Sequence, residues 1–246
     1  MEISSTKFIK ESYDNEINNI RDILESLELC EFNTYIKDLF NEIISEIEQR
    51  TYTLKESRKI LTTLFYSLTI IKDNLDKKIY IKNDNEKYLG EELIEGIVIS
   101  SKNEHEEKKI KYYGYLFGNI LFQSNFDRDE CNRLIRLSRT LSYCQIKLIN
   151  MYMISQTIQV PILHREDYTK IGIRDYKLLG ILQDTLEMIQ KGILNSSGKL
   201  VLDVVQINPS KIKVQGTGIL LYNNMSINKM PYDELEDLLD LLSKKS

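Results

Sequence analysis

The segment EEKKIKYYGYLFGNILF, from Glu106 to Phe122, decides the fold of this chain because it has the pattern of a buried helix. Ile110, Tyr113 and Phe117 fall on one face of a helical wheel, and the neighbouring tyrosine and leucine residues extend this face around most of the circumference. A helix that is apolar nearly all round is buried in a protein core. We therefore expect a central core helix in which Phe117 and Leu121 are nearly inaccessible to solvent.

Two glycines of this segment, Gly114 and Gly118, have the spacing G-x-x-x-G. In lipid this spacing is a signal for helix dimerisation, but the segment is too short and too charged at its start to span a membrane. In a folded core it predicts close packing against another helix. A helix that faces a partner protein is the first alternative. The second alternative is contact with nucleic acid, although the segment offers no strand platform on which bases could stack.

Length and composition describe a folded protein with one large domain or two small ones. The chain has 246 residues, of which 42% are hydrophobic and 28% are charged, enough to bury a substantial core. It contains only 10 glycines and 3 prolines, so few residues interrupt its helices. The longest uncharged apolar run, from Leu61 to Ile71, falls short of the roughly 18 to 20 residues that a membrane span needs. We expect no membrane segment.

The three cysteines, Cys30, Cys131 and Cys144, form no Cys-x-x-Cys pair, and the N-terminal residues are charged from Glu2 onward. This pattern indicates a reducing, cytoplasmic location without a signal peptide. The two histidines and three cysteines have none of the short spacings of zinc ligands. We therefore expect no metal site and no cofactor.

Apolar residues recur at helical spacing along most of the chain. This periodicity predicts helices over residues 6–29, 33–50, 54–75, 86–100, 104–124, 127–141, 142–158 and 174–194. The pattern changes near Pro161, and the stretch from Lys199 to Met225 predicts two short strands with a turn at Asn208-Pro209-Ser210. A final helix is predicted after Pro231, which suits its first turn.

These elements predict a mainly α fold, a helical bundle with a small C-terminal β-hairpin in an α+β, winged-helix-like element. Two domains follow from the change of pattern. The helical domain spans residues 1–160, and the winged-helix-like C-terminal domain spans residues 161–246.

Basic residues are concentrated in the middle of the chain, although its net charge is −4. Residues 1–50 hold 12 acidic and 5 basic residues, whereas residues 102–147 hold 6 acidic and 9 basic residues. The predicted helix over 127–141 places Arg128, Arg133, Arg136 and Arg139 on one side, which we call the arginine face. Arginine suits phosphate and carboxylate recognition. The alternative is a solvated face with internal pairs, in which Asp129 pairs with Arg133.

Searches for catalytic patterns find no phosphate loop, no G-x-S-x-G and no H-E-x-x-H. Gly216-Thr217-Gly218 is interpreted as a turn, because no lysine or dinucleotide-binding spacing follows it. His164 could serve as a general base held by Glu166 or Asp167, but a single loop histidine beside acidic residues is expected at the surface. An enzyme of unrecognised type is therefore a remote hypothesis, and a protein that is not an enzyme is favoured.

The order of elements from Glu106 to Met225 resembles bacterial and prophage families of unknown function that are linked to abortive infection. The resemblance depends on EKKIKYYGYLFGNILF, FDRDECNRLIRLSRTLSYCQIKLINMY, DYKLLGILQDTLEMIQKGIL and the strand pair that ends in VQGTGILLYNN. It covers under half of the chain and consists of hydrophobic positions. It implies a helical region followed by a winged-helix-like end, in a phage-defence context, and carries over no functional residue.

Two functions follow as hypotheses. The first is a cytosolic protein without a catalytic centre that binds another macromolecule, most plausibly a partner protein or a second copy of itself. The alternative is a DNA-binding winged-helix regulator that contacts phosphates through the arginine face and the wing residues Lys211 and Lys213. DNA binding is less favoured because the helix over 174–194 mixes acidic with basic residues.

Overall fold

The computed structural model describes residues 15–26, 34–80, 89–157, 163–198 and 200–243. The chain divides into two compact units between Arg139 and Thr140. The helices of the first unit are α1 (15–26), α2 (Thr34–Glu48), α3 (Leu54–Lys72), α4 (Leu89–Asn103), α5 (Glu107–Ile120) and α6 (Arg128–Thr140). The second unit has α7 (Tyr143–Thr157), α8 (Tyr176–Gln190), β1 (Leu194–Ser196), β2 (Ile212–Val214), α9 (Thr217–Asn224) and α10 (Glu236–Ser243).

The opening segment forms α5, and the prediction of a buried core helix is confirmed. Phe117 and Leu121 are 1% and 0% exposed, and Tyr113 is equally inaccessible. α5 packs mainly on α3 and also on α4. The ring of Phe40 on α2 lies 6.0 Å from that of Phe117, so residues of three further helices surround α5.

The G-x-x-x-G spacing marks the closest contact between α5 and α3. A Cβ atom on Gly114 would lie 2.8 Å from Cβ of Tyr66 and would also clash with the carbonyl oxygen of Thr63. A Cβ atom on Gly118 would lie 2.7 Å from Cβ of Ile70. The hydroxyl of Ser67 donates a hydrogen bond of 3.1 Å to the carbonyl oxygen of Gly114. The two backbones touch because both side chains are missing.

α3 begins at a capping box that fixes its first turn. The backbone N–H of Glu56 donates to Oγ1 of Thr53, and the backbone N–H of Thr53 donates to the Glu56 carboxylate at 2.8 Å. Both bonds satisfy N–H groups that the helix itself leaves without partners.

In the second unit, α7 packs against α8, α9, α10 and β2. β1 and β2 form an antiparallel pair in which Leu194 lies opposite Val214 and Ser196 lies opposite Ile212. The described residues thus confirm a mainly α fold with a small two-stranded sheet near the C-terminus. Within those residues, no helix is long and apolar enough to cross a bilayer.

The predicted positions of the strands were wrong in part. The first strand is Leu194–Ser196, which follows the end of α8 at Gly192, a glycine with φ of +71°. The predicted first strand contains instead a 3-10 turn at Val204–Gln206, where the Asp203 side chain accepts a hydrogen bond from the N–H of Val205. Such local side-chain bonds compete with strand pairing.

The residues after the second strand also differ from the prediction. They form α9, which begins after Gly216, a residue with φ of +45°. A second 3-10 turn, Pro209–Lys211, occupies the predicted turn at Asn208-Pro209-Ser210. Three predicted features lie outside the described residues: the parts of the predicted first helix on either side of 15–26, Cys30, and the extended step at Pro161. The two compact units divide before α7. The domain boundary at residue 160 stays a prediction.

Replacing Gly114 with alanine should destabilise the protein by about 1 to 3 kcal/mol, because the added methyl group would force α5 away from α3. Gly180→Ala on α8 is the matched control, since its Cβ would meet nothing within 4 Å. We expect the control to stabilise by about 0.5 to 1 kcal/mol through helix propensity. Urea unfolding monitored by circular dichroism measures the free energy of unfolding of both variants. Equal effects of the two substitutions would contradict the proposed close contact.

Candidate functional site

The arginine face lies on α6, and all four of its side chains are exposed. Nε of Arg128 donates to the carboxylate of Glu92 on α4 at 2.7 Å. Arg133 pairs with Glu130 at 2.8 Å rather than with the predicted Asp129. Asp129 and Glu130 both lie about one helical turn before Arg133. The pair that forms joins residues three positions apart. The prediction of internal pairs is thus confirmed for half of the face, with a different partner for Arg133.

The other half of the face consists of Arg136 and Arg139. Among the described residues, neither guanidinium group has an ion-pair partner, and both side chains are exposed. These two arginines are therefore the part of the face whose charge the described structure does not neutralise.

The predicted wing residues Lys211 and Lys213 belong to the second unit and are exposed. Lys213 lies on β2 opposite Asn195 of β1, and Lys211 ends the 3-10 turn before that strand. The two lysines are two residues apart, and the buried Ile212 lies between them.

The expectation that His164 lies at the surface was wrong. Its side chain is only 6% exposed, and its ring lies 5.0 Å from that of Tyr168. Its backbone N–H donates to the carbonyl oxygen of Leu242, and its carbonyl oxygen accepts from Ser210, so two distant segments hold it inside. Nε2 has no hydrogen-bond partner among the described residues. The residue is a buried packing residue without the carboxylate partner that a general base would need.

A buried ion pair lies where α5 begins. Nζ of Lys109 is 2.7 Å from Oε2 of Glu104, and these side chains are 2% and 7% exposed. Tyr113 donates a hydrogen bond of 2.7 Å to the same oxygen, and the backbone N–H groups of His105 and Glu106 donate to the other. Lys109 also donates to the carbonyl oxygen of Arg139 at the end of α6.

The environment of Glu104 controls its ionisation. Burial alone would raise the pKa of the carboxyl group, but hydrogen bonds from Glu106, Lys109 and Tyr113 overcome that effect and lower the pKa to about 2. Burial and the bond to this carboxylate raise the pKa of Tyr113, so its hydroxyl remains a donor. The carboxylate is charged and saturated with donors at neutral pH.

Glu104, His105 and Glu106 bring three ligand atoms within 4.8 Å of one another, the geometry in which a metal ion could be considered. The ammonium group of Lys109 already contacts the central carboxylate, and a second cation there would face direct repulsion. The chemistry of this donor set therefore fits a structural ion pair.

An open groove of about 770 Å³ in the second unit was missed by the sequence analysis. One side of α8 and one side of α10 line it, and Cys144 of α7 adds to its wall. The buried side chains of Ile181 and Leu238 provide apolar surface at its base. Tyr176 lines it with a side chain that is 88% exposed. An aromatic ring so open to water is available for contact with another molecule.

Carboxylates dominate the charge of this groove. Asp184 and Glu187 contribute from α8, Asp237 and Asp240 contribute from α10, and Lys177 is its single basic residue. We call this feature the acidic groove. The neutral amide of Gln145 lies between the two acidic residues of α8 and donates to Asp184 at 2.9 Å and to Glu187 at 3.2 Å. These hydrogen bonds position the two carboxylates.

The sequence contained a signal for the acidic groove. The helix after Pro231 alternates leucines with Asp237 and Asp240 at a spacing of three, an acidic stripe on an amphipathic helix. Without the packing of α10 on α8, that stripe could not be distinguished from an ordinary solvated face.

Comparison of the chain with protein-family models, with curated proteins and with solved structures found no match.

Replacing Glu104 with glutamine should destabilise the protein by about 3 to 5 kcal/mol at neutral pH, because Lys109 would keep a buried charge without its partner. Because the pKa of Glu104 lies at about 2, below its ordinary value of 4.5, its contribution is complete above pH 4.5 and is lost toward pH 2. The difference in the free energy of unfolding between the native protein and the Glu104→Gln variant should become smaller as the pH falls from 4.5 to 2.

Denaturant unfolding at several pH values provides this measurement. Glu107→Gln, which removes an exposed carboxylate three residues further along, is the control and should change stability by less than about 0.5 kcal/mol. A similar loss in the two variants at pH 7 would contradict the role assigned to the ion pair.

Proposed function

We propose that this protein acts by binding another protein, and that the acidic groove receives a basic, amphipathic segment of that partner. Lysine or arginine side chains of the segment face the four carboxylates of the groove. Its apolar residues cover Ile181, Leu238 and Tyr176. The observation that supports this proposal is the combination of four carboxylates with apolar surface in one open groove.

The groove has the form used in helix-in-groove recognition, where an amphipathic helix places anchors about one turn apart into a groove. Asp184 and Glu187 are three residues apart on α8, as are Asp237 and Asp240 on α10. A partner helix with basic residues at intervals of three or four would meet such carboxylates at matching height.

The proposal describes a binding protein without a catalytic centre or cofactor. The buried side chains of Glu104 and Lys109 pair with each other, and the carboxylates of the groove line an open surface. A cytoplasmic location and a role in bacterial phage defence belong to this proposal. They are supported by the cysteine pattern and by the resemblance to prophage families.

A lysine-bearing amphipathic helical peptide should bind this protein, and a matched peptide with glutamate in place of lysine should not. Replacing Asp237 and Asp240 with lysine should weaken binding of the first peptide by about tenfold or more, since favourable charge pairs become repulsive. Added salt should weaken binding to the native protein because the charges are exposed. Fluorescence anisotropy of the labelled peptide measures the affinity.

The control variant replaces Asp233 and Glu236 with lysine, which makes the same change in net charge at exposed positions outside the groove. It should bind the lysine peptide nearly as tightly as the native protein. If both double variants lose affinity equally, the interaction follows net charge alone and the groove is not the binding site.

The alternative function is DNA binding through the arginine face, Lys211 and Lys213. The helix that would enter a DNA groove corresponds to α8, whose outward side carries Asp184 and Glu187. Carboxylates in that position would repel phosphate groups. Duplex DNA at about 0.15 M salt should therefore bind no tighter than the non-specific range of about 10⁻⁴ to 10⁻⁶ M.

Titration with random-sequence duplexes and then with DNA that flanks the gene of this protein tests that expectation. Nanomolar, sequence-dependent affinity that is lost in Arg136→Ala or Lys213→Ala would replace the protein-binding proposal with the DNA-binding one.

A further inference from the structure

We infer that the basic segment received by the acidic groove is the arginine face of α6 on a second copy of this chain. This inference rests on the proposed function, because it names the partner of the same groove. The contact joins two different surfaces, Arg136 and Arg139 of one copy and the groove carboxylates of its partner.

The charges of the two surfaces are complementary. In the described part of the chain, Arg136 and Arg139 lack ion-pair partners, whereas Arg128 and Arg133 are paired with Glu92 and Glu130. The groove has the opposite excess, with four carboxylates and a single ammonium group. The positive charge of Arg136 and Arg139 is therefore complementary to the acidic composition of the groove lining.

The spacing of the charged residues is also complementary. Arg136 and Arg139 are three residues apart on one helix, which separates them by about 4.5 Å along its axis. Asp237 and Asp240 on α10 have this same separation, as do Asp184 and Glu187 on α8. A helix laid along the groove can therefore place each guanidinium group beside one carboxylate, where its planar fork forms paired hydrogen bonds.

The arginine side chains also suit the apolar surface of the groove. Their methylene stems can cover Tyr176 and Leu241 while the guanidinium groups reach the acids. An exposed tyrosine ring is in addition a favourable surface for a guanidinium group. Each copy carries one groove and one arginine face, so the contact is heterologous and every copy can make it twice.

The test measures self-association by sedimentation velocity over a range of protein and salt concentrations. The native protein should associate, and added salt should weaken that association. Arg136→Glu/Arg139→Glu and Asp237→Lys/Asp240→Lys should each weaken self-association by about tenfold or more. The control, Lys211→Glu/Lys213→Glu, changes charge at exposed positions outside both surfaces and should associate as the native protein does.

An equimolar mixture of the two weakened variants gives the sharpest outcome. The intact groove of the first variant meets the intact arginine face of the second, and the two reversed surfaces also match each other. The mixture should therefore associate more strongly than either variant alone. Circular dichroism of each variant should match that of the native protein, which excludes misfolding as the cause of weaker association.

The inference fails if the native protein is monomeric at every concentration and salt level, or if the mixture associates no better than its components. It also fails if the control weakens as much as the two surface variants. A monomeric protein that still binds the lysine peptide through the groove leaves the proposed function in place with a different partner. Loss of peptide binding to the groove would remove the proposed function itself.

Discussion

The contact between α3 and α5 at Gly114 and Gly118 is the constraint on which the first unit depends. Because neither glycine has a side chain, the two backbones approach closely enough for Ser67 to donate to the carbonyl oxygen of Gly114. Every other apolar residue of α5 must then be covered from its remaining sides, as Phe117 is by Phe40. A larger residue at either glycine would separate the helices and expose surface that has no other partner.

The ion pair of Glu104 and Lys109 holds the segment before α5 to the first turn of that helix. The carboxylate of Glu104 accepts hydrogen bonds from the backbone N–H groups of His105 and Glu106, the two residues that precede α5. That carboxylate would be costly inside the core without a counterion, which Lys109 supplies. The pair therefore belongs to the architecture of the first unit. The groove carboxylates differ because they line an open surface, where Asp184 and Glu187 accept hydrogen bonds from the neutral amide of Gln145.

The proposed recognition of a partner depends on the distribution of charge. Opposite charges within one element or between neighbours cancel, as in the pairs of Arg128 with Glu92 and of Arg133 with Glu130. Arg136 and Arg139 have no ion-pair partner among the described residues, and acidic residues line the open groove. Exposed charges of this kind determine which partner binds and how fast it associates, while apolar contact supplies most of the affinity.

The sequence by itself determined most of the helices, the burial of α5 and its close contact with another helix, whereas α9 lies where a strand was predicted. Periodicity and glycine spacing are local properties that any fold must satisfy. Only the tertiary structure decided that Leu194–Ser196 pairs with Ile212–Val214, that His164 is buried, and that α8 and α10 form the acidic groove. These features join residues that are distant in the chain, and which distant residues meet depends on how the helices pack rather than on the pattern within any one of them.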